Sequence, residues 1–313
     1  MPQVRPPAPM ATANAVQSGT RSSQIQPLDF GMGNSLDLGA PRTALDSVRG
    51  GHWGGWPDLG HRSSARAEES EQPALVMRVG VVIPTRNEAR SIGYVLRDIP
   101  RPPVTDVVVV DAQSTDGTPD VAAAHGARVI TEARRGYGRA CLTGIDHVLP
   151  SDVIVFLDGD YSDRPHELPI LIAPILGGRA DIVIGSRLAG RRAPGALPWH
   201  SVAGNRMAAA LIRRLYGIEV TDLGPFRAAR TDVIRQLQLR ETSYGWAVEM
   251  ILRGALAGLR IAEVPVSYHP RIGESKITGT VRGSIGAAWY IFGRILQYRW
   301  RRLTPARSSD AAR

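Results

Sequence analysis

Residues 153–160 read Val-Ile-Val-Phe-Leu-Asp-Gly-Asp. Five apolar residues in succession, mostly β-branched or aromatic, are too few for a helix. They are also too continuous for a strand with one wet face, so they predict a strand buried on both sides, as in a parallel sheet. Asp158-Gly159-Asp160 then predicts a turn at that strand's carboxyl end. Working outward, similar short apolar runs occur at 79–84 (VGVVIP), 106–111 (DVVVVD), 127–131 and 180–185. Helical spacing fills the gaps, at 88–99, 116–125, 138–149 and 165–176. Strands alternating with helices of about ten residues predict an α/β fold: a Rossmann-like, mostly parallel sheet flanked by helices in a single catalytic domain. Such sheets bind ligands at the carboxyl ends of their strands. The chemistry is therefore expected at 84–88, 111–117, 158–163 and 185–187. Beyond these, 187–200 is a Gly/Pro/Arg-rich loop and a candidate mobile lid. Helices are expected at 202–216, 231–238 and 245–257, with a strand at 260–268.

The chain has 313 residues, with 38 Lys and Arg against 29 Asp and Glu, a formal charge of +9. Lys276 is the sole lysine. Residues 1–75 are rich in Pro, Gly, Ser and Ala without helical or strand periodicity, and are read as a disordered leader. Residues 76–280 form the expected catalytic domain, and 281–313 a basic amphipathic helix with a tail. The leader carries six Arg against seven acids, so the positive charge belongs to the folded part. A basic surface invites nucleic acid, nucleotides or lipid phosphates as partners. Carboxylates at four strand ends and the lack of a nucleic-acid motif argue against the first. A single cysteine, Cys141, excludes a disulfide framework and a thiolate zinc site. No run of 18 apolar residues exists, so no spanning helix is expected.

Two carboxylates two residues apart on a strand-end turn can both reach one hard divalent cation, and the glycine between them lets backbone approach a ligand. Such a cation would neutralise a diphosphate leaving group. The competing reading is a solvated Asp-Gly turn. Residues 83–88 (IPTRNE) read either as strand terminator and helix cap or as polar groups facing the crevice. In 110–118 (VDAQSTDGT), Asp111 either accepts a hydrogen bond from a ribose or base, or the segment is a turn whose Ser114, Thr115 or Asp116 caps the next helix.

In this order and spacing the segments resemble the family 2 glycosyltransferases with the GT-A fold. That family shows a strand ending P-T-x-N-E, here 84–88, and one ending D-[DA]-x-S-x-D-G-T, here 111–118. A D-x-D metal motif follows, here 158–160, then G-S-R, here 185–187. Arg271-Ile272-Gly273-Glu274-Ser275-Lys276 resembles the R-x-G-x-S-K segment of the dolichol-phosphate mannose synthase-like, or polyprenyl-phosphate glycosyltransferase, subgroup. The likeness covers about residues 78–303. It implies inverting, metal-dependent transfer of a hexose from a UDP- or GDP-sugar to a polyprenyl phosphate. The alternative is the same donor chemistry onto a soluble hydroxyl acceptor, such as a phosphorylated small molecule or a glycan.

Carried over residue by residue, the resemblance has Pro84, Thr85 and Glu88 lining the nucleoside pocket and Asp111 contacting base or ribose. Asp158 and Asp160 hold Mg²⁺ or Mn²⁺. Arg187, Arg206, Arg271 and Lys276 meet donor or acceptor phosphate. Two positions depart from the pattern: Arg86 stands where Tyr is common, with a guanidinium able to stack on a base, and Ala112 replaces a second Asp. Ser162 is a candidate water-mediated metal ligand. A hydroxyl acceptor needs a general base, for which Asp222 and Glu249 are the candidates; a phosphate acceptor is already ionised and needs none. Asp222 also reads as a turn cap. Trp246 reads either as a sugar-stacking ring or as core, and His166 and His269 as structural. The helix from 281, Trp-rich with five Arg and no acid between 282 and 302, reads as a membrane-interface element or as a helix packed on the domain. The first reading expects a cytoplasmic protein, peripheral at the inner face of the membrane.

Overall fold

A computed structural model describes residues 77–273 and 281–303; the expected leader, Lys276 and the tail beyond residue 303 lie outside the described residues. Strands β1 (Val79–Thr85) and β2 (Val104–Asp111) run parallel, Val81 beside Val107 and Thr85 beside Asp111. β3 (Arg128–Thr131) joins β2, and β4 (Val153–Phe156) joins the other side of β1, both parallel. With β5 (Ile182–Ser186), β6 (Arg227–Arg230) and β7 (Ile261–Pro265), they form one sheet of seven strands in the order β3-β2-β1-β4-β6-β5-β7. The order reverses direction between β1 and β4, and a crevice opens at such a switch point.

Successive strand residues point to opposite faces, and here both faces are covered. Val79, Val81, Ile83, Val107, Val109, Val153 and Val155 pack with α1 (Ile92–Asp98), α2 (Thr118–Ala124) and α4 (Leu168–Leu176). Val82, Val108, Val110, Ile154 and Phe156 pack with α3 (Tyr137–His147) and α7 (Trp246–Leu256). That is why the strands read as unbroken apolar runs. Each such side chain stabilises the fold by roughly 1.5–3 kcal/mol on leaving water. Cys141, 0% exposed, belongs to this second layer as a core residue.

β6 was not expected from sequence, because Arg-Ala-Ala-Arg offers no apolar run. It is a strand by context: Ala228 and Ala229 are small enough to sit fully buried between β4 and β5, antiparallel to both. Arg227 is buried with them, donating to the carbonyls of Leu223, Gly224 and Ala247, the last at 2.6 Å. Carbonyl dipoles replace the water that a buried cation gives up. The reversed direction has a functional result. Arg227 pairs with Phe156 and Ile184, so the segment entering β6 is delivered to the edge where β4 and β5 end.

A third cluster joins α5 (Trp199–Tyr216), α7 and α8 (Val281–Leu303) around Ile184, with α6 (Thr231–Gln236) following β6. α8 is fastened by its inner face. Tyr298 donates to Glu249 at 2.6 Å, Arg294 pairs with Glu241 at 2.9 Å, and the Tyr216 hydroxyl donates to the Ile295 carbonyl at 2.6 Å. Its outer face exposes Trp289, Leu296 and Trp300. The inner face is that of a helix packed on the domain. No helix among the described residues is long and apolar enough to cross a membrane.

The expected lid at 187–200 is tethered at its middle. Ala193 N–H donates to the Tyr268 carbonyl at 2.9 Å, and Tyr268 N–H to the Arg191 carbonyl at 2.8 Å. α5 starts at Trp199, behind Pro198, three residues before the expected position. α1 starts late, at Ile92, because 88–91 form a separate turn closed by Ser91 and Ile92 N–H donating to the Glu88 carbonyl.

Candidate active site at the strand ends

The loops after β1 and β2 are stitched together. Asn87 N–H donates to Ser114 Oγ at 2.8 Å, Glu88 N–H to Thr118 Oγ1 at 2.8 Å, and Ala89 N–H to Asp116 Oδ2 at 3.0 Å. Thr115 N–H returns a bond to Asn87 Oδ1 at 2.9 Å. Asp111, 3% exposed, accepts from Ser114 N–H at 3.0 Å and from the Ser114 and Thr85 hydroxyls. Neither following helix is capped by a side chain at its N-cap, Ser91 or Gly117; the polar side chains of the two loops instead hold the loops to each other, and Asp116 also accepts from Thr118 N–H at 3.1 Å. Pro84 and Arg86 are half-buried at the same edge, and Arg86 Nε is buried without a hydrogen-bond partner. The expected nucleoside-pocket residues Pro84, Thr85, Arg86, Glu88 and Asp111 therefore do lie together.

The carboxylates after β4 differ. Gly159 sits so close to β1 that an added Cβ would lie 2.9 Å from Thr85 Cγ2, which welds the Asp158-Gly159-Asp160 turn to the first loop. Asp158 Oδ1 is buried with no hydrogen-bond partner. Burial, and then the neighbouring Asp160, push the Asp158 carboxyl up to about 7. Asp160 accepts from Ser162 N–H at 2.9 Å and Ser162 Oγ at 2.5 Å, and its Oδ2 faces Arg271 Nη1 at 3.3 Å. Ser162 therefore holds Asp160 in place. Arg271 also reaches Glu88 Oε1 at 2.9 Å, so it clamps the β1 loop to the β4 loop. The sequence reading passed over Asp163, which is 1% exposed with both oxygens lacking a partner. A third acid three residues on from the motif was its only signal. Tyr137, the first residue of α3, is a further residue of the site; its buried hydroxyl lies against the Asp158 carboxyl.

Among the described residues, no three Asp, Glu, His or Cys side chains are gathered as a ready metal site. Mg²⁺ at nucleotide sites commonly takes only one or two carboxylates and completes its shell with phosphate and water. An orphaned, buried carboxylate oxygen is what such an ion satisfies, so the residues present fit one.

Arg187 is 8% exposed, lies 5.0 Å from the Tyr268 ring centroid, and is held by Asp222 through Nε at 2.7 Å and Nη2 at 2.8 Å. Its own backbone N–H also donates to Asp222, at 2.9 Å, and Leu223 N–H does so at 2.8 Å. Burial works to raise the Asp222 carboxyl, but the Arg187 guanidinium holds it below the ordinary value. Asp222 is thus an anchor for Arg187 and a poor general base. The sequence could suggest a base because it shows a carboxylate near the site but not its partner. Glu249 has a similar fate. Its oxygens accept from Arg240 and Glu241 N–H at 2.9 and 2.7 Å, from Arg253 at 2.8 Å and from Tyr298. It ties α7 to α8. Trp246 is 0% exposed, its ring 4.6 Å from that of Phe156, which makes it core rather than a sugar platform. Arg206 is exposed and lines an open cleft of about 330 Å³ with Arg213, Leu188, Ala189 and Val220, beside the segment that follows Arg187.

The protein-family profile described as "Glycosyl transferase family 2" matches residues 80–238. An uncharacterized glycosyltransferase of Mycobacterium tuberculosis is 38% identical over 211 residues, 66% of this chain and 93% of the relative. The undecaprenyl-phosphate mannosyltransferase of Micrococcus luteus is 36% identical over 227 residues, 66% of this chain and 90% of the relative. Among solved structures, glucosyl-3-phosphoglycerate synthase of M. tuberculosis, crystallised with Mn²⁺, UDP-glucose and phosphoglyceric acid, superposes with a TM-score of 0.57. It is 23% identical and covers 72% of this chain and 80% of that one. That likeness is one of fold, the GT-A arrangement expected from sequence.

Proposed function

The chain belongs to glycosyl transferase family 2 and is a glycosyltransferase, and from that premise we propose that it transfers a hexose, with inversion, from a UDP- or GDP-sugar to a polyprenyl phosphate. Thr85, Arg86, Glu88 and Asp111 bind the nucleoside, and Asp158 and Asp160 hold the divalent cation. Mg²⁺ or Mn²⁺, when bound, stabilises the charge of the departing diphosphate. Arg271, already between Glu88 and Asp160, is the cation that can turn to that phosphate. Arg187 contributes through the positive charge that Asp222 fixes in position.

The observation that carries the acceptor assignment concerns the two candidate bases. Asp222 and Glu249 are both fully engaged by protein donors. A phosphate nucleophile needs no base to remove its proton at neutral pH. The cleft with Arg206 and Arg213 above an alanine-rich floor suits an anionic head on an apolar tail. Trp199 and Met207 on α5, with Trp289 and Trp300 on α8, are exposed aromatic and apolar side chains of the kind that enter a membrane interface. They support a peripheral position at a membrane surface. The soluble-acceptor reading draws its support from the fold shared with glucosyl-3-phosphoglycerate synthase.

The deciding assay follows nucleotide release from UDP- and GDP-sugars with Mn²⁺, adding either polyprenyl phosphate or 3-phosphoglycerate. Turnover is expected only with the lipid. Turnover with 3-phosphoglycerate alone would establish the second reading. Asp158→Asn should lower kcat by roughly a thousandfold, the order of losing several kcal/mol of transition-state charge stabilisation; retention of wild-type turnover would remove the cation from Asp158.

A further inference from the structure

Asp163 has no part in the reaction as described, yet it is among the most constrained side chains of the site. It is 1% exposed, and neither carboxylate oxygen meets a hydrogen-bond donor. It is not free to swing out. Asp163 forms an antiparallel bridge with Tyr268, and His269 N–H donates to the Ser162 carbonyl at 2.9 Å.

The surrounding charges are Asp158, Arg187, Asp160 and Asp222. Three of the four are already matched. Arg187 and Asp222 satisfy each other in a bidentate pair. Asp160 has Ser162 on one oxygen and Arg271 on the other. Asp158 remains, and its Oδ1 is likewise buried without a partner. Two buried carboxylates therefore neighbour each other, Asp163 with both oxygens unsatisfied and Asp158 with only the Tyr137 hydroxyl beside it. Leaving one buried acceptor unsatisfied costs roughly 1–3 kcal/mol, more when it is charged. A hard cation between the two would remove that cost and their mutual repulsion together.

Building on the function proposed above, we propose that Asp163 is a further ligand of the divalent cation, sharing it with Asp158. Among the described residues the three acids do not form a preset cluster; Asp160 is the more heavily committed carboxylate, held by Ser162 and Arg271. Ser162, the third-ligand candidate in the sequence, sits one residue too early and spends its hydroxyl on Asp160.

The test is a Mn²⁺ titration of the full chain with UDP present, followed by electron paramagnetic resonance of the free ion, with melting temperature measured in parallel with and without Mn²⁺. Asp163→Asn should weaken Mn²⁺ binding at least fivefold and abolish most of the Mn²⁺-induced rise in melting temperature. Its melting temperature without metal should equal or exceed that of the wild type, because a buried carboxyl that has no partner has been removed. A weakening of less than fivefold overturns the proposal. So does a lower metal-free melting temperature with the metal-induced rise intact, which would make Asp163 a structural residue. Should Asp163→Asn fail to fold, Asp163→Ser is read by the same criteria. Asp158→Asn separates the two levels. If the wild type takes up no Mn²⁺, or Asp158→Asn leaves uptake unchanged, the metal reading itself falls. If Asp158→Asn abolishes uptake and Asp163→Asn does not, only the role of Asp163 falls.

Discussion

The two halves of the site are built on opposite principles. Where β1 and β2 end, polar side chains are spent on one another: Ser114 answers Asn87 and Asp111, Thr118 answers Glu88, and Asp116 answers Ala89. Where β4 ends, oxygens of Asp158 and Asp163 are buried and unanswered. Most buried polar groups in native proteins find partners, so the first half behaves as scaffold and the second as a place for something the chain itself does not supply. The difference teaches where activity and stability should separate. Substitutions in the stitched half should cost stability and spare the chemical step, whereas those at Asp158 and Asp163 should do the reverse.

Asp222→Asn tests that division hardest, because Asp222 is a fully matched group placed among unmatched ones. Removing its charge leaves the buried Arg187 guanidinium without a counterion, at a cost of about 3–5 kcal/mol. Thermal unfolding should fall by roughly 10 °C, and turnover should fall with it through the displaced Arg187. A variant of wild-type stability would show that the pair is no anchor. Ser114→Ala is the milder counterpart on the stitched side. It removes the acceptor of Asn87 N–H and a donor to Asp111, and urea unfolding should show a loss of about 1–2 kcal/mol. The kcat should be unchanged, with any effect confined to KM for the donor; a fall in kcat would blur the two halves.

The smallest effect is expected at Glu132, just beyond β3. The Thr143 hydroxyl at 2.7 Å and Arg134 N–H at 2.9 Å hold its carboxyl at about 2, below the ordinary 4.5. A carboxylate whose folded pKa is depressed contributes stability that is complete above its unfolded pKa. That contribution is lost as pH falls toward the folded value. Glu132→Gln should therefore cost about 1 kcal/mol at pH 7, and the gap from wild type should close between pH 5 and pH 2. A gap independent of pH would show that the ionised form makes no special contribution.

How much of this could be read from sequence depended on what kind of residue carried it. β1, β2 and β4 announced themselves because burial on both faces leaves nothing but apolar residues. β6 did not, since Ala228, Ala229 and Arg227 are a strand only between two others. In the site, the motif loops were legible by their polar residues and spacing, but their pairings were not. Asp222 and Asp163 look alike in sequence, two acids near a turn. Only the fold shows one clasped by Arg187 and the other bare. Glu249 misled for the same reason, as its partners arrive from residues 240–241, Arg253 and Tyr298.

Helix α8 carries a longer-range consequence. Its inner face is committed to Glu241, Glu249 and the Tyr216 hydroxyl, while Trp289, Leu296 and Trp300 look outward. The two faces therefore tolerate substitution differently: an inner residue such as Tyr298 or Arg294 cannot change without removing a partner of Glu249 or Glu241, whereas an outward one can be exchanged at little cost to the fold.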